Sequence, residues 1–130
     1  MGRGETMIVA GLGFNSRCEG RELAALVRRA EALTALRAER LAAPIWKLRS
    51  TALQDASQIL ALPITAVSED ELETAGPGCV TTSRASQARA GVGSVAEAAA
   101  LAGAGRAARL ALPRIASAHA TCALSQGDPS

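Results

Sequence analysis

Residues 7–27 narrow the range of folds open to this chain, because a short apolar run is followed there by a helical pattern. Residues 7–10 (MIVA) predict a strand, and Gly11 and Gly13 predict a turn after it. Beyond the turn, apolar residues recur at the spacing of an amphipathic helix. A strand, a turn and a helix in this order are typical of α/β folds, which bind ligands at the carboxyl edge of the sheet. The loop after the first strand is therefore the first candidate site.

The rest of the chain continues this alternation of strands and helices. The expected strands are residues 7–10, 41–47, 62–67, 109–115 and 119–124. The expected helices are residues 17–38, 51–60, 68–74, 83–90 and 94–102. Pro44 has no N–H to donate to a ladder and predicts an edge position or a bulge for the second strand. The last two strands predict a hairpin, since only small residues separate them.

The order β-α-β-α-β-α-α-α-β-β predicts an α/β fold, a three-layer single domain with a mixed, roughly five-stranded sheet. The 130 residues fit one domain spanning 1–130. Because 48% of the residues are hydrophobic but only 2% are aromatic, we expect a core of Leu, Val, Ile and Ala. Residues 1–6 and 126–130 are polar, and we expect them to be disordered tails.

Capping boxes, in which Ser or Thr is followed three positions later by Glu or Gln, predict the starts of several helices. The pairs are Ser16 and Glu19, Thr51 and Gln54, Ser68 and Glu71, and Ser94 and Glu97. Gly20 favours a start of the first helix a few residues after Arg17, because glycine destabilises a helical turn. The pair at Ser94 begins an alanine-rich helix and is the clearest of the four.

Composition argues against several classes of protein. A formal charge of +2 with one Phe and one Trp does not favour nucleic-acid binding. No segment reaches the ~20 apolar residues of a membrane span, so we expect a cytoplasmic protein with no membrane partner. Cys18, Cys79 and Cys122 lack CxxC spacing and predict neither a disulfide framework nor a zinc site. We expect no metal site and no cofactor.

A second glycine turn, residues 91–93, precedes the helix that begins at Ser94. Free backbone N–H groups and the positive end of a helix bind anions, so two such turns at one edge would form an anion pocket. The alternative is that the glycines serve only tight turns. A dinucleotide site is not favoured, because Ser16 stands where its fingerprint has a third glycine.

The basic residues are nearly all arginines, with Lys47 the only lysine. The planar fork of Arg binds carboxylates and phosphates, although a GC-rich genome explains the bias more simply. Lys47, Arg49 and Arg114 would converge near the glycine turns if their strands share a sheet. Alone, each is a solvated surface charge.

Candidates for catalysis are few. Glu97 is the best acid or base, although helix capping explains it without chemistry. His119 falls in an expected strand with no acidic residue nearby in sequence, so we interpret it as a strand residue with a satisfied ring. Cys18 precedes a helix, which would lower its pKa, but a small buried residue is the preferred interpretation.

Several sequence blocks together carry a family resemblance. They are VAGLG (9–13), Trp46-Lys47 at the end of a strand, LPITAVSEDEL (62–72), GVGSVAEAAALAGAG (91–105), LALPR (110–114) and ATCAL (120–124). In this order and spacing, over about residues 8–124, the chain resembles the cobalamin-biosynthesis domain family that comprises CobE and the C-terminal domain of CbiG. The block that contains Ser94 to Ala100 is the most specific.

The resemblance implies a role in building the corrin ring of vitamin B12. Longer relatives resemble a hydrolase that opens the lactone of a cobalt-precorrin, whereas short relatives serve the oxygen-dependent route with a less defined task. The chain resembles the short form, so the implied ligand is a cobalt-free precorrin. A precorrin methyltransferase is an implied partner, and a homo-oligomer is left open.

The resemblance also extends the set of candidate site residues. Arg114 stands where relatives commonly have Lys, Phe14 where Cys is frequent, and Asn15-Ser16 replaces a usual basic pair. The candidate ligand-binding residues are Gly11, Gly13, Asn15, Ser16, Arg17, Lys47, Gly91, Gly93, Ser94, Arg114 and Thr121. Glu97 is the candidate catalytic residue.

Three functions follow from these observations. The favoured one is a tetrapyrrole-binding accessory protein that receives a precorrin or hands it on, since arginines and glycine turns suffice for binding. The alternative is a precorrin hydrolase or ring-modifying enzyme with Glu97 as general acid or base. The third is a nucleotide-phosphate binding module that uses the same glycine turns.

Overall fold

The computed structural model describes residues 6–82 and 92–128. Its strands are β1 Met7–Phe14, β2 Arg40–Pro44, β3 Ile64–Val67, β4 Arg106–Ala116 and β5 Ala120–Asp128. Its α-helices are α1 Gly20–Thr34, α2 Thr51–Leu60, α3 Glu69–Ala75 and α4 Val95–Ala104, and short 3-10 turns cover Ile45–Lys47 and Gly76–Gly78. The helix expected at 83–90 and the tail residues 1–5 and 129–130 lie outside the described residues.

The strands form a single sheet in the order β3-β2-β1-β5-β4. Strands β1, β2 and β3 are parallel, and β5 runs antiparallel to both of its neighbours. Parallel pairs need crossover connections, which α1 and α2 provide, whereas β4 and β5 are joined by the predicted hairpin. The expected mixed five-stranded sheet is confirmed.

Helices cover both faces of the sheet. On one face, Leu23 and Val27 of α1 and Leu53 of α2 pack against Leu12 and Leu124. On the other face, α3 and α4 pack against a second set of strand residues, which comprises Val9, Ala42 and Val67. Successive residues of a strand point to opposite faces, so neighbours such as Val9 and Ala10 belong to different layers. The three-layer α/β architecture is therefore as predicted.

The glycines of the first strand do not form the turn that the sequence predicted. Strand β1 continues through Gly11 and Gly13 to Phe14, and it pairs with β5 along its whole length. A Cβ atom at Gly11 would lie 2.1 Å from the carbonyl oxygen of Ala96 and 2.4 Å from the nitrogen of Ala100. The glycine is needed because α4 packs directly on the strand, and not because the chain turns there.

Two further expectations about strands were wrong. Strand β2 lies between β1 and β3 and is not at an edge; Pro44 is tolerated there because it is the last residue of the strand. Strand β5 runs to Asp128, so residues 126–128 belong to the sheet and not to a tail. Met7 of β1 pairs with Gly127, and Arg106 of β4 pairs with Asp128, so both neighbours extend the ladder to the end of β5.

Helix starts follow the capping patterns in part. The box of Ser68 and Glu71 at α3 is complete, and Ser50, one residue before the expected cap, accepts a hydrogen bond from Leu53 at α2. The box at Ser16 is wrong, because α1 begins at Gly20 without a side-chain cap. Helix α1 also ends at Thr34, earlier than expected, where Ala35 adopts a left-handed conformation with φ of 60°.

Candidate functional site

A cleft of about 530 Å³ lies at the edge of the sheet where β1 and β2 end. The hairpin between β4 and β5 forms another wall, and Val95 at the start of α4 closes one side. Its lining residues are Gly13, Phe14, Asn15, Ser16, Pro44, Trp46, Lys47, Val95, Arg114, Ala116, Ser117, Ala118, His119, Ala120 and Thr121. This is the carboxyl edge of the parallel strands, where α/β folds bind ligands.

The cleft brings together about half of the residues proposed from the sequence. Those that line it are Gly13, Asn15, Ser16, Lys47, Arg114 and Thr121. Those that do not line it are Gly11, Arg17, Gly93, Ser94 and Glu97, and Gly91 lies outside the described residues. Strand β1 packs against α4 at Gly11, whereas Gly93 lies against Thr81 and Thr82, so the two glycine segments are not opposed turns.

Lys47 lies in the 3-10 turn that follows β2. Its Nζ donates a hydrogen bond of 2.7 Å to the carbonyl oxygen of Phe14 and lies 4.8 Å from the centroid of the Phe14 ring. The cation-π contact and the hydrogen bond join the ends of β1 and β2. Lys47 therefore brings a positive charge to the cleft and also fixes the position of the aromatic ring beside it.

Arg114 enters the cleft from β4 and is half-buried. Across the ranges 6–82 and 92–128, no hydrogen bond or ion pair engages its guanidinium group. Pro44, Trp46 and several alanines form much of the surrounding wall. A guanidinium that is partly desolvated and unpaired attracts an anionic ligand, because carboxylates match its planar donors.

Glu97 lies in α4, is fully buried, and does not line the cleft. Its carboxylate accepts hydrogen bonds from the N–H groups of Val80 (2.8 Å), Thr81 (3.0 Å) and Arg114 (2.9 Å), and from the Thr81 hydroxyl at 2.6 Å. Burial raises the pKa of the carboxyl, but these hydrogen bonds outweigh that effect and hold the pKa below its ordinary value. The geometry thus gives Glu97 an anchoring role.

The capping pattern at α4 is only half realised. The Ser94 side chain accepts a hydrogen bond from the backbone N–H of Glu97, as expected of an N-cap. The Glu97 side chain turns away to the loop at Val80 and Thr81 and to strand β4. The Ser-x-x-Glu pattern therefore marks the helix start correctly but does not reveal the second task of the glutamate.

A pair formed by Glu22 and His119 has no signal in the sequence. His119 lies in the turn before β5, and its Nδ1 is 3.1 Å from Oε1 of Glu22, a residue 97 positions earlier in the chain. Oε2 of Glu22 accepts hydrogen bonds from the Ser117 hydroxyl and from the His119 N–H, the latter at 2.7 Å. These bonds lower the pKa of Glu22. One ring nitrogen of His119 has a partner, an acid that only the fold brings near, and the residue lies in a turn and not in the expected strand.

The cysteines do not line the cleft. Cys18 is buried, and burial together with the charge of Glu22 raises its pKa to about 11, so the interpretation as a small buried residue is confirmed. Burial also raises the pKa of Cys122 to about 12. Among the described residues, no three His, Cys, Asp or Glu side chains form a group that could hold a metal ion. The helices of this part of the chain are too short or too polar to span a bilayer.

Comparisons with known proteins agree on one family. The model of the family described as Cobalamin synthesis G C-terminus matches residues 8–125. Among curated proteins no match is found. The structure is similar to that of CobE, a protein from the cobalamin (vitamin B12) biosynthetic pathway, with a TM-score of 0.86, 26% identity, and coverage of 93% of this chain and 90% of that one.

Two other solved structures are also similar. The cobalamin biosynthesis protein chiG from Agrobacterium tumefaciens str. C58 gives a TM-score of 0.76 at 34% identity, covering 93% of this chain and 98% of that one. A cobalamin biosynthesis protein G homologue from Sulfolobus solfataricus gives a TM-score of 0.67 at 21% identity, covering 92% of this chain and 36% of that one. The last likeness shows the fold alone.

Proposed function

The chain belongs to the Cobalamin synthesis G C-terminus family, and from that premise we propose that its cleft binds a precorrin-type tetrapyrrole. The protein acts as a cytoplasmic accessory that receives a precorrin during corrin-ring formation, or hands it on to a ring-modifying enzyme such as a precorrin methyltransferase. The unpaired Arg114 guanidinium in the cleft is the observation that carries this proposal. Precorrins bear many acetate and propionate groups, and a guanidinium binds such carboxylates through paired hydrogen bonds.

The other walls of the cleft suit the same ligand. Trp46 and Phe14 offer flat apolar surface for the ring system, and Lys47 adds a second cation. The cleft volume of about 530 Å³ falls within the range of small-molecule sites. We expect it to hold part of the ring system, with carboxylates directed at Arg114 and Lys47.

Binding without catalysis is favoured over the two other functions. A hydrolase that uses Glu97 would require this carboxylate to reach the ligand, yet its oxygens are already held by the N–H groups of Val80, Thr81 and Arg114. A nucleotide-phosphate module would require glycine turns, yet Gly11 and Gly13 lie within β1. Glu97 does not line the cleft and the two glycines form no turn, so neither a hydrolase that uses Glu97 nor a phosphate module that uses these glycines is supported.

A titration of the purified protein with a metal-free precorrin, followed by its absorbance spectrum, tests the proposal. We expect a stoichiometric spectral shift without a new product. Arg114→Gln should weaken binding by about 10- to 100-fold, because hydrogen bonds to charged groups contribute about 1.5–3 kcal/mol. Arg109→Gln is the matched control, since Arg109 lies on the same strand and does not line the cleft.

Three results would contradict the proposal. Unchanged affinity in Arg114→Gln would remove the central contact. Tighter binding of nucleotides than of the precorrin would favour the nucleotide module. A new chromophore formed with multiple turnovers would show that the protein is an enzyme.

A further inference from the structure

The pair of Glu22 and His119 fixes one nitrogen of the only histidine in the chain. Glu22 is itself held by the Ser117 hydroxyl and by the backbone N–H of His119. These contacts hold the carboxylate in one place beside Nδ1, and they favour its ionised form, as the lowered pKa of Glu22 indicates. The ionised carboxylate can only accept a hydrogen bond, so Nδ1 carries the proton and donates it to Glu22.

The other ring nitrogen is left as an electron-pair donor. With Nδ1 held by Glu22, Nε2 is the ring nitrogen that can offer a lone pair to a ligand, and no hydrogen bond within residues 6–82 and 92–128 occupies it. The side chain of His119 is 34% exposed and lines the same cleft as Arg114, so a ligand can reach it. A carboxylate on the far nitrogen is the usual companion of a metal-binding histidine, because it fixes the tautomer and increases the basicity of the ring.

A single histidine does not hold a free metal ion, and the part of the chain that the structure describes contains no group of three or more possible ligands. A metal ion inside a tetrapyrrole differs, because four ring nitrogens already bind it and only an axial position is open. Resting on the proposed function, we propose that His119 supplies through Nε2 the axial ligand of a metallated tetrapyrrole in the cleft. The cleft thereby selects a cobalt-bearing macrocycle over its metal-free counterpart, which widens the ligand class beyond the cobalt-free precorrin.

The coordination step is balanced without a further reactant. The Nε2 lone pair forms the bond to the metal, and the axial water leaves as water. Nδ1 keeps its proton on the side of Glu22, and the oxidation state of the metal does not change. Arg114 and Lys47 meanwhile hold the peripheral carboxylates and so set the position of the ring. The imidazole distinguishes a ring that contains a metal from one that does not.

Paired titrations with uroporphyrin III, an octacarboxylate, and with its cobalt(II) complex under anaerobic conditions test this inference. We expect the wild-type protein to bind the cobalt complex about tenfold more tightly than the metal-free ring, a difference of about 1.4 kcal/mol. His119→Gln should remove that preference, so that the two rings bind with equal affinity, because Gln still donates to Glu22 but offers no imidazole. Glu22→Gln should reduce the ratio of the two affinities about tenfold, because any loosening of the cleft wall affects both rings and cancels in that ratio. Glu19→Gln, an exposed neighbour, is the matched control.

The electron paramagnetic resonance spectrum of the bound cobalt(II) complex gives a readout that a structural role would not change. Axial nitrogen should split its lines into triplets, and protein labelled with ¹⁵N-histidine should convert them to doublets. Equal affinity for both rings, or splitting that persists in His119→Gln, overturns the inference and leaves the binding function standing. If neither ring binds, both the inference and the proposed binding function are overturned.

Discussion

At the residue scale, the carboxylate of Glu97 positions a cation in a cleft that Glu97 itself does not line. It accepts the backbone N–H of Arg114 on β4 and the N–H groups of Val80 and Thr81 in the loop after α3. One buried anion thus joins α4, a loop and a strand. Because a buried charge is tolerated only when its hydrogen bonds are made, this position strongly restricts the local backbone.

Glu97→Gln should lower the free energy of unfolding at pH 7 by about 3 kcal/mol. The amide keeps one acceptor oxygen but turns an NH₂ group toward backbone donors, which leaves buried N–H groups unpaired. Urea denaturation of both proteins measures this. Glu73→Gln is the control, because Glu73 is exposed on α3 and should change the stability by less than about 0.5 kcal/mol.

The same substitution should alter the pH dependence of stability. The folded state lowers the pKa of Glu97 below its ordinary value of 4.5, so this carboxylate stabilises the fold fully above that pH. Its contribution is lost as the pH falls through the lowered folded-state pKa. The wild-type protein should therefore lose more stability between pH 5 and pH 3 than Glu97→Gln does, and equal losses would show that Glu97 is not held as the anion.

At the element scale, the contact between β1 and α4 decides the shape of the cleft. Helix α4 reads VAEAAALAGA, and its small residues let it lie close to the strand. Ala96 and Ala100 face Gly11, and neither partner has a side chain large enough to separate the two backbones. The start of α4 is thereby brought to the cleft, where Val95 contributes to the wall.

Gly11→Ala should destabilise the protein by about 3 kcal/mol, at the upper end of overpacking effects. The new Cβ would lie 2.1 Å from a backbone oxygen of α4, so the whole helix must move. Gly13→Ala provides the comparison, because its Cβ would meet the Thr121 hydroxyl at 2.7 Å, which a side-chain rotation can relieve. Urea denaturation should rank Gly13→Ala as the milder change by about 2 kcal/mol; the reverse ranking would contradict the packing described for α4.

The hairpin of β4 and β5 is the second element that shapes the site. Glu22 in the first turn of α1 holds the turn through Ser117 and His119. Arg29 of α1 also donates to the carbonyl oxygen of Ala116, at 3.4 Å. One helix therefore fixes the wall of the cleft that carries the imidazole.

At the scale of the whole molecule, the order of strands predicts that backbone amides at the centre of the sheet are protected from exchange and that those at its edges are less protected. Strand β1 lies between β2 and β5, whereas β3 and β4 each have one neighbour. Amide hydrogens of β1 and β5 should exchange about 100-fold more slowly than those of β3, because opening the centre requires nearly global unfolding. Hydrogen exchange followed by mass spectrometry tests this, and β3 protected as well as β1 would contradict the topology.

The sequence predicted the elements well wherever local chemistry decides them. The α/β class, the mixed sheet and the capped start of α3 follow from hydrophobic periodicity and from a Ser-x-x-Glu pattern, which act within a few residues. The family resemblance located Lys47, Arg114 and Thr121, and these three residues do share one cleft. The arrangement of Gly11 was misread, because a glycine in a strand covered by a close helix has the same local pattern as a glycine in a turn.

Within the described residues, the sequence by itself therefore determined which segments form strands and helices, and which cations are available near strand ends. Only the tertiary structure decided that Glu97 would be an anchor and that Glu22 would reach His119 across 97 residues. Periodicity and capping report interactions between near neighbours in the chain. Contacts between distant segments depend on the register and packing of the whole sheet, and no short stretch of sequence contains that information.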